Sequence, residues 1–314
     1  MAVTLTDNQF FTGLVNLALF MKLYATNTSA EPDRFVNSFA SETLPYGDTK
    51  LFPFSDLPSV ADYSESTSLL NVTKVNVNEE KLTVSVKKVI KSSYPQYILE
   101  MAFTDASGMN NFVGYILGQM YSAKTDYLYD MIRDDLYAKT YKTTNKQTHQ
   151  VALINPTAIT DTVELNNAEI INQKRIALAV QNDIDNITVF NTEYNDKGYK
   201  QALDVKDLRL VINAGYDNEQ IVNLFSSLLR SDYVEKSFHK PEKVKIPTIK
   251  VPQGSEIVIG WIMHRYHYQF FYKFTHMGSF FDTSNLSINS FLHFWIGKGH
   301  LDNLPAVKLI ASYA

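Results

Sequence analysis

The run WIMHRYHYQFFYKFTHMGSFFD, residues 261–282, holds three of the seven histidines of a 314-residue chain. His264 and His267 stand in H-x-x-H spacing, which on a helix would offer two imidazoles to one metal ion. On a strand, positions three apart point to opposite faces, and this segment is rich in aromatics; the two rings then separate unless the chain bends. No carboxylate lies between Trp261 and Phe281 to complete a ligand set, and H-E-x-x-H is absent from the chain. The pair is expected to be structural and partly buried.

Three other patterns could carry chemistry. Asp126, Asp130 and Asp134 are four apart, with Asp135 beside them, so a helix would line up carboxylates able to hold a cation or exchange a proton. With Arg133 and Lys139 close by in sequence, the row reads better as a solvated or contact face. VINAGYDNEQI has the outline of a phosphate-binding turn, but its one glycine, Gly215, falls short of G-x-G-x-x-G, and no Lys-Ser/Thr follows. The stretch YHYQFFYKF with Arg265 and Lys273 could stack single-stranded bases, yet its alternation suits a sheet strand covered on both faces. G-x-S-x-G is absent, and a chain without cysteine has no disulfide, thiolate site or cysteine nucleophile. The expected assignment is therefore no catalytic, cofactor-binding or metal residue.

The composition is that of a globular protein: 45% hydrophobic, 13% aromatic, formal net charge −4. A mildly acidic chain suits a dedicated DNA binder poorly. The apolar run from Phe10 to Leu23 is broken by Thr12, Gly13, Asn16 and Lys22, too short and polar for a membrane span or secretion signal. A soluble, intracellular product is expected, with the sequons at Asn27, Asn71, Asn186 and Asn285 incidental.

The elements follow from periodicity. Residues 8–24 read as an amphipathic helix. From Gly47 to about Val77 the alternation is patchy and holds Pro53 and Pro58, the mark of a long two-stranded excursion. Alternation is clean at Leu82, Val84 and Val86, and again from Tyr97 to Phe103. A helix capped by Asp105 or Ser107 follows, carrying Phe112, Ile116, Met120, Ala123, Tyr127 and Met131 in one stripe for about 30 residues. A second helix spans about Ala168–Asp185, with Ile170, Ala177 and Ile184 a heptad apart. Strands fall at DLRLVINAG, VKIPTIKVP and EIVIGWIMH, with a helix after Asp217 or Asn218. Strands and helices mix without regular βαβ alternation, so the fold class is α+β.

The order of these elements resembles the major capsid protein of tailed double-stranded DNA phages with the Hong Kong 97-type fold. The closing stretch, FYKFTHMGSFFDTSNLSINSFLHFW followed by LPAVKLI, is similar to the C-terminal end of coat proteins from small short-tailed, picovirus-like phages. The resemblance implies an N-terminal arm (1–44), an E-loop (45–96), a P domain with a spine helix (97–147), an A domain (148–261) and returning P-domain strands (262–314). It implies a non-enzymatic shell subunit, without cofactor, assembled in the bacterial cytoplasm into the icosahedral head of the virion. Its partners would be itself, as hexamers and pentamers, a separate scaffolding protein, the portal and packaged DNA, with no membrane. Lys139, Lys142 and Lys146 are the expected weak, non-specific DNA contacts. Within the extension Lys50 is the one lysine before Lys74, and nothing there implies an isopeptide cross-link.

On this plan Tyr266, Tyr268, Phe270, Tyr272 and Phe274 share one strand face, with His267, Gln269, Phe271, Lys273 and Thr275 on the other. In FLHFWIG, Phe291, His293 and Trp295 oppose Leu292, Phe294 and Ile296, both faces are covered, and Trp295 is expected to be buried. The competing expectation is an oligomeric α+β enzyme or ligand-binding protein whose polar site is too dispersed to read from sequence.

Overall fold

The computed structural model describes residues 31–44, 46–58, 77–95, 106–142, 145–155, 159–213, 216, 242–246, 257–284 and 286–313. The helix expected at 8–24, the strand at 97–103, the Gly215 turn with the helix after it, Asp105 and Lys74 lie outside these residues. The chain divides into two compact units, one drawn from 1–50, 82–132 and 270–299, the other from 51–81, 133–269 and 300–314.

One sheet has four strands, β1 (Thr49–Ser55), β2 (Val77–Pro95), β7 (Tyr268–Asp282) and β8 (Ser287–His300), in the order β1-β2-β8-β7. The first unit takes most of β2, β7 and β8, while most of β1 and the start of β2 are counted with the second. β2 and β8 pair antiparallel from Val84↔Gly297 to Pro95↔Ser287, with a register shift between Val84 and Val86. The long helix α2 (Ala106–Ala138) has 33 residues, a length of about 50 Å at 1.5 Å per residue. It starts at Ala106, so Ser107 lies inside it and is not its cap. Met120 packs on Leu292, with Ile90, Tyr94 and Met277 around them, and Tyr127 meets Phe294 edge-on at 5.9 Å.

The expected helix stripe is only partly right. Met120 and Met131 are buried, Tyr127 is half-buried and Ala123 is exposed. Leu128, Ile132 and Leu136, four apart, supply the rest of the buried line together with Tyr129. The short helix α1 (Glu31–Phe39) adds Phe35, Val36 and Phe39 to this core, with Phe35 4.7 Å from the Tyr129 ring. Beyond α1 the backbone follows β7, where Ser41 N–H donates to Phe270 O at 2.8 Å and Leu44 N–H to Tyr272 O at 3.1 Å.

The second unit holds a mixed five-stranded sheet. Its strands are β3 (Thr148–Leu153), β4 (Leu208–Asn213), β5 (Glu242–Ile246), β6 (Ile257–His264) and β9 (Ala306–Tyr313), in the order β3-β9-β6-β4-β5. The outer pairs β3/β9 and β4/β5 are parallel, and the central contacts of β6 are antiparallel. All six residues of β4 are buried, the sign of a strand covered on both faces.

Helix α3 (Thr162–Thr188) covers one face of that sheet through Ile176, Val180, Ile184 and Ile187, against Leu208, Ile259, Ile262 and Leu309. The Asp161 carboxylate caps it, accepting from Val163 N–H at 2.7 Å and Glu164 N–H at 3.1 Å. The helix begins six residues before the expected start. Ile170 is exposed, because the buried line runs through Gln173, Ile176, Val180 and Asp183. At the centre of the sheet Gly260 permits a close approach, since a Cβ there would lie 2.3 Å from Val211 O.

Candidate functional site

His264 and His267 do not share a strand. β6 ends at His264, residues 265–267 turn, and β7 begins at Tyr268. The turn is closed by His267 N–H donating to His264 O at 2.8 Å, so the chain does bend between the two histidines. The bend assembles no metal site. His264 Nδ1 accepts from Tyr266 N–H at 3.1 Å, while His267 Nδ1–H donates to Leu304 O at 3.1 Å. Among the described residues no three His, Asp or Glu side chains are grouped to hold a cation. The expected alternation is also corrected at its start: Tyr266 is exposed in the turn, whereas Tyr268, Phe270 and Phe271 are fully buried.

Around His267 the second unit builds a buried polar cluster. The Tyr141 ring stacks on the His267 ring, and the His300 ring lies 5.4 Å from it. His300 also sits 4.9 Å from the Tyr268 ring, and its Nε2–H donates to Asp135 O at 3.3 Å. Tyr268 O–H donates to the Asp135 carboxylate at 2.6 Å. Lys139 Nζ bridges Asp196 at 2.8 Å and Asp302 at 2.6 Å.

Burial, with the nearby Lys139 ammonium, holds His300 down at about 4. Burial likewise lowers His264 to about 4 and pushes His267 well below its usual range. For Lys139 burial pulls downward, but the hydrogen bonds to Asp196 and Asp302 outweigh it and the ammonium is strengthened. His267 is buried and His264 and His300 are half-buried, and burial keeps all three imidazoles neutral near pH 7.

The acidic row separates into different roles. Asp126 and Asp134 are exposed and Asp130 is half-buried, while Arg133 Nη2 donates to Asp134 at 2.7 Å. Asp135 serves the buried cluster. Of the lysines expected to meet DNA, Lys139 is withdrawn by its two carboxylates; Lys142 donates to Asp196 O at 2.8 Å, and Lys146 pairs with Glu193 at 2.7 Å.

One recess went unread in the sequence. A pocket of about 490 Å³ in the second unit is lined by Lys146, His149, Asp183, Asp185 and Tyr194, among others. His149 Nδ1 meets the buried Asp183 carboxylate at 2.7 Å, and that hydrogen bond raises the imidazole's pKa despite burial. The partners lie 34 residues apart, so no short motif could announce them. The pair orients an imidazole as a hydrolase would, and the one aliphatic hydroxyl among the lining residues is that of Thr148.

The most conspicuous surface is apolar. Trp295 was expected to be buried, but it is 36% exposed, and Phe274 and Phe280 are exposed as well. The face of β8 that meets α2 carries Leu292 and Phe294, so Phe291, His293 and Trp295 lie on the opposite face. The reading of a strand covered on both sides fails there within the single subunit.

Comparison with known proteins agrees with a subunit of this kind. Residues 6–309 match the Phi29-like phage major capsid protein family. Among curated protein sequences none matches the chain significantly. Among solved structures the chain is similar to the capsid of Staphylococcus phage Andhra, with a TM-score of 0.61 and 11% identity over 87% of this chain and 83% of that one. It is similar to the capsid of the cyanophage P-SCSP1u, with a TM-score of 0.54 and 14% identity over 88% and 87%. The mature capsid of bacteriophage PhiM1 matches with a TM-score of 0.52 and 10% identity over 88% and 87%. At such low identity these matches carry the fold, which is the α+β Hong Kong 97 type. The competing expectation of an enzyme falls with the family match. The chain belongs to the Phi29-like phage major capsid proteins, structural components of the virion that form the phage head.

Proposed function

We propose that copies of this chain assemble as hexamers and pentamers into an icosahedral shell around double-stranded DNA, with the portal and a scaffolding protein as further partners. The sub-structures of the shell subunit are assigned to 1–44 as arm, 45–96 as E-loop, 97–147 with 262–314 as P domain, and 148–261 as A domain. The observation that carries this reading is β2. Its nineteen residues pair with β8 from Val84 onward, and the rest continues to Val77 beside β1, whose residues alternate between exposed and half-buried. Such a hairpin is poorly covered by its own chain, and a neighbouring subunit gives it a surface to bury against.

The hairpin has a fixed base. Asn78 donates to the Tyr199 hydroxyl, and Glu80 is close enough to Asp302 and Asn303 that burial, then Asp302, raises its pKa. Contact with DNA is non-specific and weak, since Lys139 is internally paired and the chain is net acidic. The test replaces residues 47–77 with a short Gly-Ser turn. The body is expected to keep its circular dichroism and lose assembly; particles formed in unchanged yield would remove the E-loop assignment.

A further inference from the structure

The lysines of this chain are held in different ways. Lys139 and Lys146 are paired with carboxylates. Lys87, Lys88 and Lys91 lie over the rings of Trp295, Tyr127 and Phe291 and are exposed to water. Lys124, in α2, combines a ring contact with burial. Its Nζ stands 4.2 Å from the centre of the Tyr272 ring in β7 and 5.8 Å from that of Tyr121, one turn back along the same helix. The lysine and both tyrosines are half-buried. Among the described residues no carboxylate pairs with the Lys124 amine. On α1 the Asp33 carboxylate is taken by the adjacent Thr125, whose hydroxyl donates to it at 2.8 Å.

Two effects compete at this amine. A ring face favours the ammonium. Withdrawal from water disfavours it, and with no anion to offset that loss burial lowers the pKa from the ordinary 10.5 to about 8. Tyr121 and Tyr272 add no charge, because burial pushes both hydroxyls up, that of Tyr121 to about 12. Near pH 8, then, about half of the Lys124 side chains hold a neutral amine whose lone pair can attack a carbonyl carbon. The surroundings also favour a neutral product. An amide at Nζ has no charge to desolvate, and its acyl group meets aromatic carbon. Acylation therefore removes the cost that burial places on this ammonium. No such gain exists for a lysine in water or one held by carboxylates.

We propose that Lys124, walled by Tyr121 and Tyr272, is a modification site, the amine of this chain that takes an acyl group from a small acyl phosphate. The Nζ lone pair attacks the carbonyl carbon, and the bond from that carbon to the phosphate oxygen breaks. Phosphate leaves with the electron pair, and the surplus amine proton passes to water. No oxidant, reductant or further reactant is needed. Lys124 is half-buried and not sealed, so a compact donor reaches it.

The test applies acetyl phosphate to the full-length wild-type chain between pH 7 and pH 10. After a short reaction the chain is unfolded and the remaining amines are capped with isotope-heavy acetic anhydride. Mass spectrometry then reads the light-to-heavy ratio at each lysine. Lys87 is the control for a ring contact without burial, and Lys174 for an exposed helix lysine. At pH 7.5 Lys124 is expected to be acetylated roughly tenfold faster than either, with a rate that levels off above pH 8. A Lys124 rate no greater than that of Lys87, or one still climbing at pH 10, overturns the proposal. The same reaction in guanidinium chloride is expected to erase the lead. A lead that survives unfolding comes from local sequence and not from the walls of the recess, and it overturns the proposal as well.

Discussion

The chain has two tryptophans, and they sit in opposite environments. Trp261, in the middle of β6, has no exposed surface, and the Tyr137 ring meets it edge-on at 4.8 Å. Trp295, in β8, is 36% exposed beneath Lys87. Each belongs to an aromatic-rich strand, yet one indole closes a core and the other lies on a surface. The five-stranded sheet is finished within its own unit, with α3 and the α3-facing side chains of β4, β6 and β9 forming a closed cluster. The four-stranded sheet is finished on one face only. A self-assembling subunit needs both kinds: a region that folds alone and a region whose apolar surface is buried in the assembly.

The sharpest way to break this comparison is at Trp261. Trp261→Ala should cost about 3–5 kcal/mol, from lost transfer energy and the cavity left. Against the roughly 5–15 kcal/mol of a typical domain, much of the protein should appear in the insoluble fraction or unfold at markedly lower denaturant. Gly260→Ala next to it should be comparably damaging, because its Cβ would meet the Val211 carbonyl 2.3 Å away, and backbone in a paired strand cannot yield cheaply. Native-like denaturation midpoints for both variants would show that the closed core is misplaced.

Lys139→Met comes next. It leaves the Asp196 and Asp302 carboxylates facing each other without their shared cation, a loss of about 3 kcal/mol by analogy with broken buried pairs. The double change with Asp302→Asn should recover part of that loss in urea titrations. No recovery would mean that the lysine acts through packing alone.

A smaller effect is set by pH. His264 and His300 titrate near 4 in the folded chain, below the ordinary histidine value of 6.5, because burial disfavours their charged forms. Between those values the unfolded chain binds more protons than the folded one, so stability falls as pH drops from about 6.5 to about 4. Each such histidine contributes a slope of up to about 1.4 kcal/mol per pH unit. Thermal midpoints measured from pH 7 to pH 4.5 should fall, and His300→Gln should flatten the dependence. His149 works in the opposite direction: its raised pKa stabilises at low pH and the benefit is lost as pH rises through the folded value.

The smallest change in subunit stability belongs to Trp295→Ala. Its partial exposure and the single cation–π contact with Lys87 limit the loss to about 1 kcal/mol. This variant should unfold nearly as the wild type does, in contrast to Trp261→Ala. A loss as large as that of Trp261→Ala would erase the difference between the two sheets.

Some of this was legible from residues alone. The short β4 strand around Leu210–Ile212, the period of the long helix and the β6 strand all follow from patterns that local geometry enforces. The error at Trp295 has a physical cause. Alternation tells which residues share a face of β8 and says nothing about which face the helix covers; Leu292 and Phe294 made that contact, and the larger rings were left outward. Likewise H-x-x-H could be judged only after knowing that residues 265–267 turn. The His149–Asp183 pair and the Lys139 bridge join residues far apart in the chain, where no spacing rule applies. Ile170 misled because a heptad can be drawn through an exposed residue as easily as a buried one when the helix is polar on both flanks.

The central claim is that this subunit is made to be completed by its own copies. Purified wild-type protein at several concentrations, followed by sedimentation velocity with negative-stain imaging of the fastest fraction, tests it directly. The account predicts very large particles or closed shells in equilibrium with small capsomers, with the large fraction growing as concentration rises. A single small oligomer that holds its size across the whole concentration range, with no particles in the images, would contradict it.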